Sequence, residues 1–100
     1  MSDTSTTIGK GALAARLSAR LGIPRAQAEE AIEETLFELA RALGAGEGVS
    51  LRGFGTFRLH HQPARAGSVA GTDYTSPART VVKFRPGREL ADRVAGLDLS

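Results

Sequence analysis

The chain of 100 residues contains no cysteine. Neither a disulfide framework nor a thiolate metal site can be built from it. Its two histidines, His60 and His61, are adjacent, so on a regular strand they face opposite sides and cannot share a metal ion. No Ser-His-acid set or metal constellation can be assembled, which argues against an enzyme and against any cofactor. Aromatic residues are scarce, and no apolar run approaches the ~20 residues of a membrane span. Met1 to Thr7 is rich in Ser and Thr and lacks the apolar core of a signal peptide. The expectation is a soluble cytoplasmic protein with no membrane partner, opening on a short disordered extension over residues 1–8.

What is present is one small domain with an uneven charge. At 41% hydrophobic residues the chain can fold, yet part of it is too polar and Gly-rich to join a core. A dimer would relieve that shortage of buried area. Formal net charge is only +2, but residues 1–50 carry five Lys/Arg against seven Asp/Glu, while residues 51–100 carry eight against four. Between Arg52 and Arg88, seven cations face Asp73 alone. An acidic helical half and a basic sheet half follow.

In the first half, Leu13, Leu17 and Leu21 recur at i, i+4 and i+8 and predict a helix from about Lys10 to Leu21, stopped by Gly22. Pro24 suits the first turn of a second helix reaching about Leu43. Its apolar stripe is Ala28, Ala31, Ile32, Thr35, Leu36, Leu39 and Leu43, widened by Phe37 and Ala40. Glu29, Glu30, Glu33, Glu34 and Glu38 form a solvated acidic face. Residues 44–48 hold three glycines but lack the spacing of a dinucleotide fingerprint and follow a helix, so they read as a C-cap and turn.

The second half alternates with period 2. A short strand from Val49 to Arg52 turns at Gly53-Phe54-Gly55 into a strand from Thr56 to about Gln62, which must bulge or leave its sheet at Pro63. Gly67 and Gly71 mark a flexible tip between two extended arms. The chain returns through Pro77 into a strand from Arg79 to Arg85, and Pro86-Gly87 leads to a final helix from Arg88 to Val94. Arg58, His60 and Gln62 share one face, opposite Phe57 and Leu59; Arg79, Lys83 and Arg85 share one face, opposite Thr80, Val82 and Phe84. Such a sheet has an apolar underside and a cationic top suited to a polyanion. The phenylalanines fit a core better than a base-stacking platform. His61 shares the apolar parity and is expected to pack, and Tyr74 lies in the arm.

Arg52-Gly53-Phe54-Gly55-Thr56-Phe57, Leu59-His60, Pro63-Ala64-Arg65-Ala66-Gly67 and Phe84-Arg85-Pro86-Gly87-Arg88-Glu89-Leu90-Ala91-Asp92-Arg93 resemble the bacterial HU and integration host factor family. The first and last runs look closest to its integration host factor branch. The likeness covers residues 9–94 and implies one domain over 9–95, followed by a tail. It implies an α+β fold: a two-helix base, a three-stranded antiparallel sheet, a long β arm and a short C-terminal helix, in an intertwined dimer. It further implies a non-enzymatic architectural protein of the bacterial nucleoid that binds double-stranded DNA, as a homodimer or with a related subunit. In that family the arms enter the minor groove, where a tip proline wedges into a base step.

Carried onto this chain, the DNA-binding set comprises Lys10, Arg52, Arg58, His60, Gln62, Arg65, Arg79, Lys83, Arg85 and Arg88. The dimer core comprises Leu36, Leu39, Phe54, Phe57, Leu59 and Phe84. Lys10, Arg52, Arg65 and Arg88 rest on family positions, with Lys10 at a helix start beside free backbone N–H groups that favour an anion. The strand cations rest on the alternation itself. One departure stands out. Ser68-Val69-Ala70-Gly71-Thr72-Asp73 has neither the Arg nor the Pro of the family's Arg-Asn-Pro tip, and the loop is shorter. Reduced bending and weak sequence preference are therefore expected. The alternative function is an HU-like dimeric protein-interaction module that has lost DNA bending.

Overall fold

A computed structural model of the chain describes residues 6–98. The extension expected over residues 1–8 and the tail over 96–100 lie partly outside the described residues. Two compact units are present: residues 1–41 with 94–100, and residues 42–93.

The first unit is helical. α1 (Lys10–Leu21) ends where Gly22 takes the left-handed conformation at φ 67°, donating its amide to the Ser18 carbonyl at 2.9 Å. Only glycine adopts that cap without strain. α2 (Arg25–Gly44) begins one residue later than expected: Pro24 stands just outside the helix, its carbonyl accepting the Ala28 amide at 3.1 Å. The Arg25 guanidinium donates to the Gly11 carbonyl at 3.1 Å and ties the start of α2 to α1. Leu17 of α1 and Ala31, Ile32, Thr35 and Leu36 of α2 line an apolar groove of about 180 Å³. The Thr35 hydroxyl donates to the Ala31 carbonyl at 2.8 Å, so it brings no unmet polar demand to that groove.

At the exit of α2, the amides of Ala45 and Glu47 bond the Ala42 carbonyl and that of Gly46 bonds the Leu43 carbonyl. Those donors are consumed by the helix end, which makes the segment a cap and leaves no phosphate cradle.

The second unit is β-rich. β1 (Val49–Leu51), β2 (Gly55–Gln62) and β5 (Arg79–Pro86) form an antiparallel sheet in the order β1-β2-β5. β3 (Arg65–Val69) and β4 (Thr72–Ser76) pair with each other as a separate two-stranded arm. β2 stops at Gln62, directly before Pro63, which has no amide for the ladder. α3 (Arg88–Ala95) follows Gly87, whose amide donates to the Phe54 carbonyl at 2.8 Å. The β1–β2 turn uses Gly53 at φ 81°. Gly55 is required for a different reason. A Cβ there would lie 2.5 Å from the Phe84 ring and 2.7 Å from the Arg85 carbonyl oxygen.

The flexible tip expected between Gly67 and Gly71 is instead a tight hairpin. Ala70 and Gly71 both have positive φ, 54° and 82°, and form a two-residue turn between the Val69–Thr72 pair. Two successive positive φ values define the type I′ turn, whose twist matches that of the flanking strands.

Neither unit closes a core. Among the described residues only Ala14, Ala28 and Gly55 are buried, and no large side chain is enclosed. Leu36 and Phe54 are each 47% exposed. The apolar faces predicted from the sequence exist, and among the described residues nothing within either unit encloses them.

Candidate nucleic-acid interface

Strand register decides which side chains share a face. β2 and β5 pair Thr56 with Arg85, Arg58 with Lys83, His60 with Val81 and Gln62 with Arg79. Directly opposed residues in an antiparallel pair point the same way, so these eight form one face. Phe57 with Phe84, Leu59 with Val82 and His61 with Thr80 form the other. Phe84 is the hub of the apolar side, its ring centroid 4.7 Å from that of Phe57 and 5.5 Å from that of Phe54. The predicted division into a cationic and an aromatic face is present in full.

The register also exposes a cost. Arg58 and Lys83 stand directly opposite each other, an arrangement of like charges that destabilises a strand pair. Among the described residues no ion pair relieves it. The ion pairs among the described residues are Lys10–Glu33 at 3.5 Å, Arg25–Glu29 at 3.7 Å and Arg88–Asp92 at 3.8 Å, and none engages a sheet cation. Four cations held together on one exposed face, without a counter-charge among the described residues, suit an anion from elsewhere.

At the root of the arm, Gln62, Pro63, Arg65, Ser76, Pro77 and Arg79 line a polar cleft of about 150 Å³. Arg79 donates through Nε to the Gln62 Oε1 at 3.3 Å. A neutral acceptor orients the guanidinium without cancelling its charge. Gln62, expected as a phosphate contact itself, spends only its amide oxygen on Arg79 and keeps its amide N–H donors for an anion. His60 joins Gln62, Pro63 and Arg65 around an adjoining cleft of about 310 Å³.

Several predicted residues are placed otherwise. Lys10 is the first residue of α1, but its ammonium faces the Glu33 carboxylate instead of an open helix end. Arg88 faces Asp92 on its own helix. Both pairs are exposed and therefore weak enough for a stronger anion to displace. His61, expected to pack at the arm base, is exposed. Arg52 lies exposed in the β1–β2 turn. Of the predicted dimer core, Phe54, Phe57 and Phe84 cluster, Leu59 shares their side of the sheet with Phe57 and Phe84, and Leu36 and Leu39 lie on α2 in the helical unit. Sequence reasoning missed the hydroxyls. Thr56 shares the parity of Arg58 and its hydroxyl donates to the Ser50 Oγ at 3.4 Å, which leaves the Ser50 hydroxyl as a neutral donor on the face of Arg85.

Comparison with known proteins agrees with this geometry. Residues 8–95 match the family model described as bacterial DNA-binding protein. The chain is 41% identical over 90 residues to integration host factor subunit alpha of Vibrio campbellii, covering 88% of this chain and 92% of that one. It is 46% identical over 68 residues to integration host factor subunit beta of Methylococcus capsulatus, covering 66% and 72%. Among solved structures it resembles the HU of an Anabaena HU–DNA cocrystal structure, with a TM-score of 0.82 and 26% identity over 90% of this chain and all of that one.

Proposed function

Because the chain belongs to the bacterial DNA-binding protein family of HU and integration host factor, we propose that it is a non-enzymatic architectural protein that binds double-stranded DNA. The observation that carries this is the face of Arg58, Arg79, Lys83 and Arg85, none of which is engaged by an ion pair found among the described residues. Its contacts go to phosphates, with Arg52 and Arg65 extending the track, His60, Gln62 and Arg88 adding to it, and Lys10 contributing a further contact from the helical unit. Phosphate contacts position a protein without reading bases, so sequence preference is weak and comes from DNA shape. The working form is an intertwined dimer, as homodimer or with a related subunit. A second chain supplies the cover that Leu36, Leu39, Phe54, Phe57, Leu59 and Phe84 lack. No helix among the described residues is long and apolar enough to cross a membrane. The place of action is the bacterial cytoplasm, on the nucleoid.

The arm turns at Ala70-Gly71 with no proline to enter a base step, so bending is reduced. The test is a mobility shift on a ~30 bp random duplex across a salt series. Four strand cations per protomer give a log–log slope approaching about −7 for a dimer. Absence of binding at low salt overturns the reading in favour of a protein-interaction module. End-to-end energy transfer on the same duplex should report a smaller bend than that made by a relative carrying the tip proline.

A further inference from the structure

We propose that Ser76 is a phosphorylation site whose phosphate docks on Arg65 of the arm and Arg79 of the sheet, tying the two together and withdrawing both guanidiniums from DNA. The effect on DNA rests on the duplex-binding reading above; the docking does not.

Register separates the serines and threonines of the arm. Ser68 is paired with Asp73, whose carboxylate would repel a phosphate, and Thr75 is paired with Ala66. Thr72 is paired with Val69, next to the turn. Ser76 is the one paired with a cation, Arg65, and directly opposed residues project to the same side. It also lines the polar cleft of about 150 Å³ at the arm root, together with Gln62, Arg65 and Arg79.

That cleft lies where the ladder is broken. The Gln62–Arg79 rung ends the sheet and the Arg65–Ser76 rung opens the arm, with Pro63 and Pro77 between them. A guanidinium therefore stands on each side of the break, and Ser76 shares the cleft with both. Arg79 gives only its Nε to the Gln62 Oε1, so its terminal nitrogens keep their N–H donors. Neither arginine takes part in an ion pair found among the described residues. A serine phosphate carries about −1.5 to −2 charges at neutral pH and three acceptor oxygens, enough to engage both arginines at once.

Ser76 is also within reach of an enzyme. Every residue of β4 is exposed, and the residue before a proline favours an extended backbone. A two-stranded hairpin is marginal in water, so β4 can be lent to a kinase cleft as an extended segment. The step is transfer of the γ-phosphoryl group of ATP by a protein kinase. The bond from the Ser76 Oγ to phosphorus forms as the bond to the β-phosphate oxygen breaks. ADP leaves, and the hydroxyl proton passes to the kinase's base.

The test uses the full chain with phosphoserine incorporated at position 76 or, as a control of equal charge on the other face of the arm, at position 68. Without DNA, phosphate on Ser76 should slow exchange of the β3 and β4 amides by about threefold or more, and Arg79→Gln should undo most of that gain. Phosphate on Ser68 should not slow it. On a ~30 bp duplex at moderate salt, phosphate on Ser76 should weaken binding about a hundredfold and make the log–log slope shallower by about 0.9 for each guanidinium withdrawn. Phosphate on Ser68 should cost about tenfold or less. Mass spectrometry of the chain taken from its own cells should find phosphate on Ser76. Exchange unchanged by phosphate on Ser76, or slowed equally by phosphate on Ser68, overturns the docking. Equal losses of affinity from the two positions overturn the withdrawal of the arginines. Absence of phosphate on Ser76 in both growing and starved cells overturns the assignment of the site. Failure of the unmodified chain to bind any duplex overturns the duplex reading, while the exchange result still decides the docking.

Discussion

The three-stranded sheet and the two-stranded arm share a backbone geometry and are interrupted from one another only at residues 63–64 and 77–78, yet they are held in quite different ways. In the sheet, successive β2–β5 rungs from Thr56–Arg85 to Leu59–Val82 alternate between a polar or charged pair on one side and an apolar pair on the other. A slip of one residue would drive Arg58 and Lys83 to the aromatic face. In the arm, every β4 residue is exposed, and Tyr74 across Gly67 is its one large cross-strand contact. An isolated two-stranded hairpin of this kind is marginal in water. Burial on one side specifies the sheet. Turn chemistry and one aromatic specify the arm. The architecture thus joins a rigid charged platform to an appendage that gains most from being gripped by a partner.

The largest effect that could break this comparison is electrostatic. Lys83→Glu combined with Arg85→Glu reverses two charges per protomer on the sheet without touching Phe84. Duplex affinity should fall by about a thousandfold or more at moderate ionic strength, while the oligomeric mass stays constant. Arg65→Gln in the arm removes a single charge and should cost only about tenfold. Equal losses from the two would show that platform and arm share the load, contrary to the division drawn from the register.

The next effect separates the two regions through their glycines. Gly55→Ala meets the Phe84 ring and, more seriously, the Arg85 backbone carbonyl, which cannot swing aside. A loss of about 2–3 kcal/mol of stability and a clear fall in melting temperature are expected. Gly67→Ala meets only the far end of the Tyr74 ring, which can rotate away. Its global cost should stay below about 1 kcal/mol. Thermal unfolding of both variants, at one protein concentration because dimers unfold by mass action, checks the contrast. Similar melting temperatures would mean that the arm belongs to the cooperative unit.

The same division explains what could be read from the residues in order. Leu13, Leu17 and Leu21, the Gly22 stop and the alternation through Phe57, Leu59, Val82 and Phe84 were legible because apolar burial imposes a period. The cationic face followed from the same parity. The hairpin at Ala70-Gly71 was not legible: alanine is a poor marker of a positive φ, and neither arm strand alternates. The pairing of Lys10 with Glu33 was also hidden, since it joins residues 23 apart on two helices. Register, and with it the direct opposition of Arg58 and Lys83, needs the turn geometry as well as the pattern. What remained invisible was local chemistry without periodic burial behind it.

The smallest effect tests that last point. Ala70 occupies the left-handed region at φ 54°, which costs a residue with a Cβ about 1 kcal/mol relative to one that favours it. Asparagine tolerates that region and is favoured before glycine in a type I′ turn. Ala70→Asn should therefore stabilise the hairpin locally by about 0.5–1 kcal/mol, slowing exchange of the β3 and β4 amides by roughly twofold to fivefold. The melting temperature should hardly move, because the arm contributes little to the cooperative transition. Affinity for duplex should rise slightly, since a more fully formed arm has less order to gain on binding. Slower exchange with unchanged affinity would mean that the arm is already ordered before DNA arrives. A rise in melting temperature would tie the hairpin to the sheet and dissolve the distinction between them.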